Sequence, residues 1–220
     1  MVCYRAAIKR RLFGDQGIMN WAKLAVPALA AWLLAAPAAA QTGLSSGDFV
    51  GAVRARDGDK AMELLRSRGS RIINTRDDKG DTALIVAISR RDDVWTGFLL
   101  NQGADPNLAA RNGDTPLIAA ARVGYIGAAG DLIRLKAKPD AANRMGETPL
   151  IVAVQARQPT LVKLLLSLGA DPDKADSAAG YSARDYATRD TRSREILRLI
   201  EVAKPKPKPK PAAAEATKTN

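Results

Sequence analysis

Histidine is absent from the 220-residue sequence, and its one cysteine is Cys3. A histidine base, a nucleophilic triad and a zinc site of the usual Cys/His type are therefore excluded, since Cys3 falls within a segment expected to be cleaved. The groups left for chemistry are carboxylates and cations. Asp77-Asp78 and Asp92-Asp93 are adjacent carboxylate pairs. Both fall in segments predicted as turns, where acidic residues are ordinary solvated turn formers. Neither a G-x-x-x-x-G-K-[ST] nor a G-x-G-x-x-G phosphate loop occurs. The sequence reads as non-enzymatic, with no cofactor and no metal.

A pattern of surface charge remains. In a register set by the turn glycines, Asp48, Asp81, Asp114 and Glu147 each follow a glycine. Lys79, Arg111 and Arg144 stand just before one, while Arg56, Arg90, Arg122, Arg157 and Arg189 fall at the far end of a predicted helix. Two readings are open. The residues Arg90, Arg122, Arg157, Lys79, Asp81, Arg111, Asp114, Arg144 and Glu147 form charged rows that bind a protein partner. Alternatively they are solvated turn residues, since exposed charges often contribute nothing measurable.

Either reading requires elements that repeat. Gly80, Gly113 and Gly146 are 33 residues apart, and Gly180 follows after 34. Thr82, Thr115 and Thr148 come two places later, then Leu84, Leu117 and Leu150. Glycine before such a segment suits a tight turn with positive φ, threonine suits a helix cap, and Pro116 or Pro149 suits the first helical position. "LLNQGADPN" (99–107) aligns with "LLSLGADPD" (165–173), an apolar helix ending in glycine, a turn-forming aspartate and proline. The pattern predicts units at about 45–77, 78–110, 111–143, 144–176 and 177–201. The first and last are charged where an end must face water.

These residues closely resemble the ankyrin repeat, whose period is 33 and whose opening is T-P-L-H-x-A. The resemblance covers about residues 45–201 and implies an all-α solenoid of about five helix-turn-helix units joined by short hairpin loops. It also implies protein binding through hairpin tips and inner helices. Ile85, Ile118 and Ile151 replace the histidine of the family pattern, so apolar contact must link the units there. The third unit is expected to be the least stable. Gly127 and Gly130 fall in its second helix, and Lys136 stands where Gly103 and Gly169 end theirs, so the same glycine cap is not expected.

The net charge of +11 sits largely outside this array. Residues 1–40 hold five basic and one acidic residue, and the segment from Glu201 holds five lysines and two glutamates, which leaves +4 between. Lys23, the apolar run Leu24–Ala36 and Ala38–Ala40 form a secretory signal layout with cleavage after Ala40. The run is short for a span of roughly 20 apolar residues; an uncleaved membrane anchor is the alternative. Translation starts at Met1 or at Met19. The cleaved chain, 41–220, has no cysteine and needs no disulfide.

Residues 202–220 are a Lys-Pro-rich tail, whose "KPKPKPKP" favours polyproline II, a cationic rod of about 25 Å. The expected partner is another protein bound by a monomer in the periplasm, not a nucleic acid. An anionic envelope surface, reached through the tail, underlies the alternative role of envelope tethering.

Mass spectrometry of the product from its native host should find Gln41 at the N-terminus. An intact leader in the cytosol would exclude export.

Overall fold

Three threonines set the starts of three helices. Each side-chain oxygen accepts the N–H three residues on: Thr82 from Ile85 at 3.2 Å, Thr115 from Ile118 at 3.3 Å and Thr148 from Ile151 at 3.2 Å. Pro116 and Pro149 follow two of them at the first helical position, where no N–H is required. Ser182 does the same work with a full capping box, the Asp185 carboxylate accepting the Ser182 N–H in return.

The computed structural model describes residues 47–203. The expected leader, 1–40, and the Lys-Pro segment, 204–220, lie outside the described residues. Within them the chain is an all-α repeat solenoid of ten α-helices in five pairs, with a 3-10 turn at Ser70–Asn74. The inner helices are α1 (Gly47–Ala55), α3 (Ala83–Ser89), α5 (Pro116–Val123), α7 (Pro149–Gln155) and α9 (Ala183–Arg189). The outer helices are α2 (Gly58–Arg68), α4 (Asp93–Asn101), α6 (Ile126–Arg134), α8 (Pro159–Ser167) and α10 (Arg194–Val202). Asp48 therefore belongs to the first turn of α1 and not to a hairpin. Helix α10 reaches Val202, where the tail was expected to begin.

Each inner helix packs on the next inner helix and on its own outer helix. Ala87, Ala120 and Ala153, 33 residues apart, are buried, and so small a side chain allows neighbouring inner helices to approach closely. Ile85, Ile118 and Ile151 are buried, as apolar contact at the histidine position requires. Leu99, Leu132 and Leu165 are fully buried under the outer helices. At the C-terminal end, α10 buries Ile196 and Ile200 and turns charged residues outward, a polar end that needs no further unit.

The third unit corrects one expectation. Lys136 has φ 64°, the left-handed turn that Gly103 (φ 89°) and Gly169 (φ 80°) make in their units. The backbone geometry is thus retained, and a residue with a Cβ is forced into it, at roughly 1–2 kcal/mol. Gly127 and Gly130 both lie in α6, which has no side-chain cap at its start. A Cβ added at Gly130 would meet nothing within 4 Å.

Gly130→Ala and Lys136→Gly should each stabilise the protein by about 0.5–1 kcal/mol in urea unfolding. Amide exchange at 125–136 should be faster than at 160–168. No gain in stability from either change, with equal protection in both segments, would refute a weak third unit.

Candidate protein-binding face

Each hairpin leads from one outer helix to the next inner helix, and consecutive hairpins are bonded to one another by backbone. Arg111 donates its N–H to the Gly80 carbonyl at 2.9 Å, Arg144 to that of Asn112 at 3.3 Å and Ser177 to that of Met145 at 2.8 Å. The approach is too close for a side chain on the earlier hairpin. A Cβ on Gly80 would lie 2.3 Å from the Cβ of Arg111, and one on Gly146 2.3 Å from the Ser177 nitrogen. Both glycines also have positive φ.

Within each hairpin a polar side chain holds the turn. Asp77 accepts the Asp81 N–H at 2.9 Å, Asn143 accepts those of Met145 and Glu147 at 3.0 Å, and Asp176 accepts those of Ala179 at 2.8 Å and Gly180 at 2.9 Å. Ala110 occupies this register in the hairpin between, and Asn112 takes over by accepting the Asp114 N–H at 2.9 Å.

The acidic row faces inward. Asp114 is buried, and Asp81 and Glu147 are half-buried. Asn143 donates to Asp114 at 2.9 Å and to Glu147 at 2.8 Å, bridging two units. Arg122 lies across the same pair, 3.0 Å from Asp114 and 3.7 Å from Glu147. Arg54 binds Asp77 and, at 3.3 Å, Asp81. A cavity of about 210 Å³ between the second and third units is lined by Asp81, Ile85, Ser89, Asn112, Asp114 and Arg122, among others.

The arginines at the other end of the inner helices do not form a row in one register. Arg90, Arg122 and Arg157 stand eight, seven and nine residues after Thr82, Thr115 and Thr148. They consequently leave the helix in different directions. The Arg90 guanidinium donates to the Arg54 carbonyl, and Arg122 turns back to the hairpins. Arg157 sits in the left-handed turn also occupied by Arg91 and Gly124, and bonds Asp190 at 2.6 Å. Arg56 pairs likewise with Asp92, 2.9 Å away, which caps α4. Lys79, Arg111 and Arg144 are exposed at the hairpin tips.

A second polar ladder has no counterpart in the sequence reading. The side-chain oxygen of Asn74 accepts the Asp105 N–H at 2.8 Å, that of Asn107 the Lys138 N–H at 2.9 Å, and that of Asp140 the Asp171 N–H at 2.7 Å. These three acceptors are spaced by 33 residues, and that spacing was the signal available to find them.

Local bonds also set the titration of several groups. Hydrogen bonds from Arg157 and Ser193 pull the Asp190 carboxyl down to about 2. Ser182 holds Asp185 below the usual range through its side chain and its amide. Burial, with help from Asp93, pushes the Tyr125 phenol up to about 12. Carboxyls whose folded values lie below roughly 4, the ordinary unfolded value, stabilise the fold above that pH and cease to do so as they are protonated. Stability should therefore fall as pH drops from about 4 toward 2. By NMR the Asp190 carboxyl should titrate near 2, as its bonds dictate, and move toward roughly 4 in Arg157→Gln. An unchanged Asp190 titration in that variant would show that Arg157 does not set it.

A family model described as ankyrin repeats, three copies, matches residues 49–141 and again 96–176. No curated protein matches the chain. Ankyrin repeats are generally modules for binding other proteins. The matched segments together cover more than half of the chain, and the helix pairs, threonine caps and stacked hairpins are those of such a repeat: this chain belongs to the ankyrin-repeat family.

Proposed function

We propose that the protein is an exported, non-enzymatic scaffold that holds a protein partner against the face formed by its hairpins and inner helices. The observation that carries this reading is the groove between the second and third units. It exposes Ser89 and Asn112 beside a buried carboxylate, a composition suited to polar recognition. Stacked short helices give an extended surface of this kind, and the threonine caps and hairpin bonds order each inner helix and hairpin before any partner arrives. The signal-like layout of residues 1–40 supports export, and in this reading the partner is periplasmic. Functional groups of the histidine or cysteine type are missing from residues 41–220, which favours binding over catalysis. The Lys-Pro tail acts as a spacer in this reading, and partner capture does not depend on it.

Residues 41–220 should capture the partner from an envelope extract. Bulky substitutions on the inner face, Ser89→Trp with Gln155→Trp, should reduce capture about tenfold, the scale of losing one good interfacial contact. Lys163→Trp, on outer helix α8, should leave capture unchanged, and so should removal of 204–220. Capture that survives the inner-face variant, or is lost with the tail alone, would reject this reading in favour of tethering.

A further inference from the structure

Several arginines of the described chain are engaged internally. Arg54, Arg56, Arg122 and Arg157 each meet a carboxylate of the same or a neighbouring unit. The hairpin-tip cations of the described chain have no such partner. Lys79, Arg111 and Arg144 are exposed, and among the described residues none is within ion-pair distance of an acid. The tip carboxylates are turned away from them: Asp114 is buried, and Asp77 and Asp81 face Arg54. Asp78 is the one exposed acid beside them.

Two of the three cations are held in place by the stack. The Arg111 side chain lies across Gly80, its Nε 3.0 Å from where a Cβ would stand. Arg144 crosses Gly113 in the same manner, its Cγ 3.1 Å from that point. Both backbones are bonded to the preceding hairpin. Cations fixed in this way need little ordering when they bind. Packed neighbouring helices lie about 8–10 Å apart, and an extended chain advances about 3.3 Å per residue. The step from Arg111 to Arg144, which share one register, therefore matches about three residues of an extended segment; Lys79 stands one place further along its own hairpin, after Asp78.

We propose that Lys79, Arg111 and Arg144 dock an extended acidic segment of the partner protein, with a carboxylate at about every third residue. The proposal rests on the binding reading above and adds the partner's chemistry. It assigns the attraction to the tips, and not to Arg122 or Arg157, whose charges are already countered within the protein.

The test is fluorescence anisotropy at low salt with the full chain and a labelled peptide of four Glu-Ser-Thr triplets. A peptide of equal composition with all glutamates at one end serves as its comparison. The spaced peptide should bind about tenfold more tightly to wild type than to K79Q/R111Q/R144Q. Glutamine retains the Cβ and Cγ that cover Gly80 and Gly113, and the tail is present in both proteins. R111K/R144K and R157Q should each stay within about twofold of wild type. Equal affinity in the triple variant, or equal affinity for the clustered peptide, would overturn the proposal. Binding to phosphatidylglycerol vesicles with no binding to the spaced peptide would overturn it too. Failure here is separable from failure of the binding reading. Partner capture lost on inner-face substitution but kept by the triple variant rejects the tips alone.

Discussion

The stack depends on how closely one hairpin approaches the next. Arg111 already occupies the space a side chain on Gly80 would need, and its N–H is bonded to the Gly80 carbonyl. That contact fixes the separation of the units at the hairpin end. Buried Ala87, Ala120 and Ala153 allow the same closeness along the inner helices. With seven to nine residues each, these helices are too short to persist alone in water. They persist because each packs on its own outer helix and on at least one neighbouring inner helix, and the hairpin contact decides whether the covering surfaces meet. Local turn chemistry and long-range burial thus favour one arrangement.

Charge is arranged around that contact. Taking Asp114 out of water is costly unless its oxygens are satisfied, and Asn112, Arg122 and, from the following hairpin, Asn143 do so. Arg54 performs a similar service for Asp77 and Asp81. These arginines act as cross-braces, which leaves the outward cations at the tips without internal competition.

Much of this was legible in the sequence because it depends on residue type at a fixed offset. Thr82, Thr115 and Thr148 cap helices wherever an apolar run follows; Asp92, read as a solvated turn former, instead caps α4 and pairs with Arg56. The five helix pairs follow from those starts. Helix ends were harder. Arg90, Arg122 and Arg157 look aligned in the sequence, yet they stand eight, seven and nine residues after their caps and so point to different partners. Lys136 was hidden for another reason: residue type argued against a left-handed turn, and the packing of the unit overrode it. The Asn74, Asn107 and Asp140 ladder was visible as spacing alone, since surface asparagine and aspartate are too common to mark a structural bond.

That ladder has a mechanical consequence. Each of its bonds reaches the adjoining unit and none of those described above skips one. The five units are therefore elastic elements coupled in series through four junctions. In a series arrangement the same load passes through every junction, and the most compliant one takes the largest share of the deflection. With two glycines in α6 and a lysine in the turn after it, that share falls in the middle of the array. Its two ends would swing as stiff arms about the third unit.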